Sequence, residues 1–149
     1  MDYLAGVTSY VINAIAPKEN KFAPVVTESP LSSGIFEPNM LIVRLAGLSG
    51  ALAVTLGAYG AHGLREKCSD ERRIRAFETG NRYHLLHTVA ILGSSKARFP
   101  AITASLFFAG ISIFSGTIYY YSLTGNEQVR HYTPWGGMLF IIGWISMIL

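Results

Sequence analysis

The sequence predicts an all-α integral membrane protein, a bundle of four transmembrane helices preceded by an N-terminal extension. Half of the 149 residues are hydrophobic and only 14% are charged, against about a quarter in soluble domains. Asp, Glu, Lys and Arg are absent from residues 45–64, 99–126 and 132–149. Apolar runs of about 18 or more residues are long enough to cross a bilayer, and a soluble domain of this length has no interior that could bury three of them.

The N-terminal extension is predicted over residues 1–39. A helix over residues 2–16, with Asp2 as its N-cap and Pro17 as its stop, is too short to span the bilayer. It is either a helix lying on the membrane or on a partner protein, or a mobile tail. The remaining segment, residues 17–39, is rich in proline and is predicted to be an extended linker.

The first transmembrane span is predicted over residues 40–64 of the four-helix domain, which covers residues 40–149. Arg44 lies near the start of the span, where its long side chain can reach the lipid headgroups. Glycines and alanines recur along the span with a spacing of four and three residues, which places them on one helical face. Small side chains let helices approach closely in lipid, so we predict that this face packs against another helix. This first small-residue row consists of Ala46, Gly50, Ala53, Gly57 and Gly60.

The second span is predicted over residues 70–95. It follows the only strongly charged stretch, GLREKCSDERRIRAFE, in which Ser69, Asp70 and Glu71 resemble a helix start. Only the part from Tyr83 onward is free of charge, which makes this the weakest of the four predicted spans.

The third span is predicted over residues 99–123 and repeats the spacing of small residues. Three tyrosines near its end, Tyr119 to Tyr121, are predicted to lie at the membrane interface. The residues of this second small-residue row are Ser105, Ala109, Ser112 and Gly116.

The fourth span is predicted over residues 134–149. Thr133 is its predicted N-cap, and Pro134 is the predicted first residue of the helix. Four crossings place both ends of the domain on one side of the membrane.

The polar residues at predicted membrane depth are the candidate functional site. Ionisable side chains inside a membrane are costly and usually face the interior of a bundle, which makes such a cluster the default functional hypothesis. The alternative is that neutral histidines form hydrogen bonds to a tyrosine or serine of another helix. The candidate cluster consists of His62, Asn81, His84, His87, Thr88 and Tyr119.

Several classes of function are not expected. No acidic or thiolate side chain is predicted near the histidines, so we expect no metal site and no cofactor. No phosphate-binding loop or nucleophile motif is present, so we expect no enzyme. The net charge of +3 is scattered between the spans, so we expect no nucleic-acid partner.

Four segments of the chain resemble one known family. They are LAGLSGALAVTLGAYGAHGL (45–64), YHLLHTVAILG (83–93), FSGTIYYYSL (114–123) and TPWGGMLFIIGW (133–144). They are similar to the transmembrane protein 256 family, whose bacterial relatives form domain of unknown function 423. The resemblance covers about residues 40–149 and implies the four-span topology, but no reaction, because the family's biochemistry is unknown.

The family pattern includes His62 and His87 but neither His84 nor His131, which weakens any two-histidine metal site. The other residues that the resemblance carries over are Gly57, Gly60, Ala61, Gly63, Tyr83, Ser115, Gly116, Tyr119, Thr133, Pro134, Gly136, Gly137, Gly143 and Trp144.

Two functional hypotheses remain. In the first, the protein is a non-catalytic accessory subunit of a larger membrane complex, with the mitochondrial inner membrane and a respiratory complex as the expected setting. Its partners are then membrane lipids and other membrane subunits. In the second, the protein is a small carrier, channel or lipid-binding protein that uses the histidine region. A polar cavity reaching the histidines favours the second hypothesis, and a dry bundle with uncovered apolar faces favours the first.

Overall fold

The computed structural model describes residues 38–149, which form four antiparallel helices without any strand. The predicted helix over residues 2–16 lies outside this part of the chain, as does nearly all of the predicted linker. Helix α1 comprises Pro38–Tyr59, a π-helical turn at Gly60–Leu64 and a last turn at Arg65–Lys67.

Helix α2 is Glu71–Ser94, and Asp70 caps its start, because the Asp70 carboxylate accepts a hydrogen bond from the Arg72 amide at 2.9 Å. Helix α3 comprises Pro100–Gly110, a π-helical turn at Ile111–Ser115 and Gly116–Thr124.

A 3₁₀ helix, Glu127–Tyr132, leads without a break into helix α4, Thr133–Ser146. The predicted N-cap at Thr133 is therefore wrong by one residue: Thr133 is already helical. The preceding 3₁₀ helix runs directly into α4, so α4 has no free start for Thr133 to cap. The Thr133 hydroxyl instead lies 2.8 Å from the Thr117 hydroxyl of α3.

The predicted all-α architecture is confirmed. By length and composition, Met40–Lys67 and Pro100–Thr124 can each cross a membrane. The two other helices do not meet that test, since α2 carries charges in its first turns and α4 has only 14 residues. Of these two helices, α2 is interrupted by charge, whereas α4 is apolar but short.

The two central helices are α2 and α3, with α1 packed on α2 and α4 packed on α3. Glycines allow the closest approaches in both outer contacts. A Cβ atom on Gly60 of α1 would lie 2.6 Å from the Phe77 ring of α2. A Cβ atom on Gly136 of α4 would overlap the backbone of Phe114 in the π-helical turn of α3. Larger side chains at these positions would force the helices apart.

The first small-residue row lies in the contact between α1 and α2. Ala46 and Ala53 are each only 1% exposed, and Gly60 is also buried. A Cβ atom on Gly57 would lie 2.8 Å from the Asn81 side-chain oxygen, and one on Gly50 would lie 3.5 Å from the Thr88 methyl.

The second small-residue row lies on an open side of α3. Ser105 and Ser112 are exposed, and Ala109 and Gly116 are partly exposed. No atom of the described part of the chain comes within 4 Å of a Cβ built on Gly116. Ser105 and Ala109 line the outer face of α3, whereas Ser112 and Gly116 line an open groove between α3 and α1.

One end of the bundle carries most of the charge, and we call it the charged end. It contains the end of α1, the start of α2 and the loop after α3. Here Arg73 of α2 donates hydrogen bonds to the carbonyl oxygens of Ser122 and Leu123, at 2.9 and 2.8 Å. These are among the last carbonyls of α3, which have no partner within their own helix. Arg73 thus joins α2 to the end of α3.

Candidate functional site

A chain of polar side chains links α1, α2 and α3 through the interior of the bundle. The Asn81 amide donates to the Ala53 carbonyl at 2.7 Å and to the Tyr119 hydroxyl at 3.1 Å. The Tyr119 hydroxyl is 3.3 Å from His84 Nδ1, and His84 Nε2 is 3.1 Å from the Ser49 hydroxyl. The Ser49 hydroxyl lies 2.8 Å from that of Thr88. Four of the six residues of the predicted cluster therefore come together.

The hydrogen bonds along this polar chain can run in either of two directions. The Asn81 amide nitrogen only donates, so the Tyr119 hydroxyl accepts that bond. In one order, Tyr119 donates to His84 Nδ1, and His84 Nε2–H donates to Ser49. Ser49 then donates to Thr88. Every link in this order joins a donor to an acceptor.

In the opposite order, Thr88 donates to Ser49, and Ser49 donates to His84 Nε2. His84 Nδ1–H then donates to Tyr119, whose own proton has no acceptor among the described residues. A neutral imidazole is satisfied in both orders, which differ in its tautomer. The chain thus holds His84 in place without a charge.

His87 occupies a different environment, between α2, α3 and α4. Its Nδ1 lies 2.8 Å from the Tyr83 carbonyl oxygen and must donate to it, which leaves Nε2 to accept from the Trp144 indole at 3.3 Å. Its ring stacks on Phe140, with centroids 3.5 Å apart and planes 9° apart. Both nitrogens are satisfied and aromatic rings surround the imidazole, so His87 has no free group for a ligand.

The structure does not bring His62 to the other candidates. His62 lies in the π-helical turn near the charged end of α1 and is exposed. Within residues 38–149, no group of three or more His, Cys, Asp and Glu side chains is arranged to hold a metal ion.

Sequence reasoning did not assign Ser49 or Trp144 to the site. Ser49 lies next to Gly50 of the first row, and a hydroxyl on a buried helix face is a signal that could have identified it. Of the three tyrosines predicted to lie at the membrane interface, Tyr119 and Tyr121 are buried in the bundle and Tyr120 is exposed.

A groove between α1 and α3 lies next to the polar chain. Its volume is about 320 Å³, at the lower end of the range for small-molecule sites. Leucines of α1 and aromatic and aliphatic residues of α3 form its walls. Ser49, His84, Ser112, Ser115 and Tyr119 supply its few polar groups, and Gly116 of the second row also lines it. An apolar molecule with one hydrogen-bonding group matches this lining.

Known proteins similar to this chain are named as membrane proteins. UPF0382 membrane protein YwdK of Bacillus subtilis is 37% identical over 116 residues, which span 73% of this chain and 94% of the relative. A UPF0382 membrane protein of Haemophilus influenzae is 35% identical, spanning 70% of this chain and 88% of the relative. A UPF0382 membrane protein of Schizosaccharomyces pombe is 35% identical, spanning 74% of this chain and its own entire length.

No solved structure matches the chain. Residues 56–137, which run from the middle of α1 to the first turn of α4, match the family described as "Protein of unknown function (DUF423)". The predicted membership is confirmed: this four-helix integral membrane protein belongs to the DUF423 family.

Proposed function

We propose that the protein is a non-catalytic accessory subunit of a larger membrane complex. The observation that carries this proposal is the outer part of the second small-residue row, Ser105 and Ala109, which no described helix covers. Small residues have no advantage against lipid tails, but they let two helices approach closely enough for dispersion contacts and backbone interactions. An uncovered row on a transmembrane helix therefore suits a helix of another subunit.

The shape of the outer face of α3 supports this proposal. A shallow groove of about 450 Å³ runs along this face and is lined by Ala101, Ile102, Ser105, Leu106 and Ala109. The lining is apolar except for the Ser105 hydroxyl. A partner helix with one or two larger apolar side chains would fill the groove.

The proposed setting is the mitochondrial inner membrane, with a respiratory complex as the candidate assembly. Relatives in bacteria and in a yeast support this setting, because a membrane protein shared by both fits an organelle of bacterial origin. These relatives match about three quarters of this chain, and the remainder is available as an arm along a neighbouring subunit.

The first test is the native size of the protein. Tagged protein is solubilised in a mild detergent and separated on a native gel, and the proteins that migrate with it are identified. We expect a band far larger than the protein alone, with defined partners. Migration as a single chain or a small homo-oligomer would overturn the proposal.

The second test compares two identical substitutions. Ala109→Leu fills the groove on the outer face of α3, whereas Ala51→Leu adds the same side chain to an exposed position of α1. We expect Ala109→Leu to lose the partners and Ala51→Leu to keep them. If both variants keep the partners, or both lose them, the second row is not the surface that binds the partners.

A second candidate function is binding of a lipid-like molecule in the groove between α1 and α3. The placement of Ser49, His84 and Tyr119 in an otherwise apolar groove favours it. The fluorescent fatty acid cis-parinaric acid is a suitable probe. Leu52→Trp narrows the groove and should reduce binding, whereas Val54→Trp, also exposed on α1 but outside the groove, should not. Equal binding by both variants would rule out this site.

A further inference from the structure

A separate cavity opens at the charged end, between the start of α2, the end of α3 and the 3₁₀ helix before α4. Its volume is about 490 Å³. Three arginines line it: Arg72 and Arg75 from the first turns of α2, and Arg130 from the 3₁₀ helix. Two chain segments distant in sequence thus bring three guanidinium groups to one opening.

These three arginines are only weakly neutralised. Arg72 and Arg130 both face Glu127, each at 3.8 Å, and Arg75 faces Glu71 at 4.0 Å. Charge-assisted hydrogen bonds are about 2.7–2.9 Å long, so none of these pairs is in direct hydrogen-bond contact. The two carboxylates that face three guanidinium groups leave one positive charge in excess.

Other arginines at the same end are fully engaged. Arg65 forms a 2.5 Å salt bridge with Glu78, and Arg73 donates two hydrogen bonds to the end of α3. Among the described residues, the side chains of Arg72, Arg75 and Arg130 make no hydrogen bond. The cavity thus brings together three arginines whose donors remain available.

The inner wall of the cavity is apolar. Phe114, Ile118 and Tyr121 of α3 line it along seven residues of helix, which corresponds to about 10 Å. The guanidinium of Arg130 lies over the Tyr121 ring, 4.9 Å from its centroid, which directs Arg130 toward this wall. The cavity is therefore cationic at its outer edge and apolar toward the membrane.

We propose that this cavity binds an anionic glycerophospholipid, with the phosphate held by Arg72, Arg75 and Arg130. Guanidinium groups bind phosphate oxygens in pairs, and basic pockets between transmembrane helices at the membrane surface bind anionic headgroups. An acyl chain then lies along Phe114 and Ile118. The apolar wall favours a lipid over a free phosphate ion, which needs no such surface.

The experiment measures lipid retention by the full-length chain. Purified protein is mixed with equal amounts of phosphatidylglycerol and phosphatidylcholine in detergent at constant ionic strength, and bound lipid is quantified by native mass spectrometry. We expect selective retention of phosphatidylglycerol. The double variant Arg75→Gln, Arg130→Gln should weaken that retention by about thirtyfold. The Arg75 side chain is 77% exposed and that of Arg130 is 44% exposed, so the fold should survive, as circular dichroism will check.

The matched control is Arg82→Gln, which removes the same charge from an exposed position of α2 outside the cavity. It should retain the lipid like the unaltered protein. An equal loss in Arg82→Gln would mean general surface attraction, and equal retention of both lipids would mean no selective site. Displacement of the lipid by millimolar inorganic phosphate would indicate a site for small anions. Each of these three results would overturn the proposal.

Discussion

The first and second small-residue rows share one residue spacing, yet only the first is covered by a neighbouring helix. Ala46 and Ala53 of the first row are each 1% exposed because α2 packs against them. Ser105 and Ser112 of the second row are exposed on α3. The pattern of small residues therefore predicts that a helix face can be approached closely, without identifying the helix that approaches it.

Polar side chains account for the difference. Ser49 lies beside the first row and is within hydrogen-bond distance of His84 and Thr88 of α2, and Asn81 of α2 donates to the Ala53 carbonyl. In the second row, Ser112 donates only to the Phe108 carbonyl of its own helix. Hydrogen bonds between helices thus select α2 as the partner of the first row.

The largest expected effect comes from enlarging a residue of the covered row. Gly60→Leu would drive its side chain into the Phe77 ring, which is 1% exposed and packed on Tyr119 with centroids 4.8 Å apart. We expect the free energy of unfolding to fall by about 3 kcal/mol or more. Denaturant unfolding in detergent, followed by circular dichroism, measures it.

The control for this variant is Gly47→Leu. It makes the same change on the same helix, but within the described part of the chain no other helix comes within 4 Å of its Cβ position. Its unfolding should match that of the unaltered protein. If both variants unfold at the same denaturant concentration, the contact between α1 and α2 is not as described.

A smaller effect is expected from removing one hydroxyl. Ser49→Ala leaves His84 Nε2 and the Thr88 hydroxyl without their partner, and we expect a loss of about 1 to 2 kcal/mol in the free energy of unfolding. Ser112→Ala removes a serine hydroxyl from the uncovered row and should change stability by less than about 0.5 kcal/mol. The same unfolding assay compares the two variants. An equal change in their free energies of unfolding would mean that the two rows do not differ in their hydrogen bonds to other helices.

The smallest effect on stability is expected from Gly116→Leu in the uncovered row. The new side chain enters the groove between α1 and α3, where no other described helix lies within 4 Å of its Cβ position, so we expect a change within about 0.5 kcal/mol. Gly50→Leu is the matched variant in the covered row and should be less stable, because the Thr88 methyl already lies in contact distance, 3.5 Å from the Cβ position, and leaves no room for the atoms beyond Cβ. A marked loss of stability in Gly116→Leu would mean that a helix of this chain covers the second row.

Residue patterns predicted the helices and the first row well, because charge-free segments and small-residue spacing are local properties. They did not predict that His84 and His87 face different neighbours. Residues three apart on a helix point about 60° apart, and α2 is central, so His84 meets α1 and α3 while His87 meets α3 and α4.

His62 was placed in the predicted cluster, but the structure leaves it exposed near the charged end, away from the other members. The π-helical turn at Gly60–Leu64 changes the direction of side chains at the end of α1, and a regular helical spacing no longer applies there. Ser49 and Trp144 approach the histidines from other helices, at 35 and 57 residues in sequence, so no local pattern contains them.

The hydrogen bonds from Arg73 to the end of α3 affect how the chain enters the membrane during synthesis. By length and composition α3 is suited to cross a bilayer by itself, whereas α2 carries several charges in its first turns. A short turn joins the two helices at one end, and Arg73 joins them at the other. We therefore expect α2 and α3 to enter the bilayer together as a hairpin during synthesis. We do not expect the insertion machinery to release α2 into the lipid before α3.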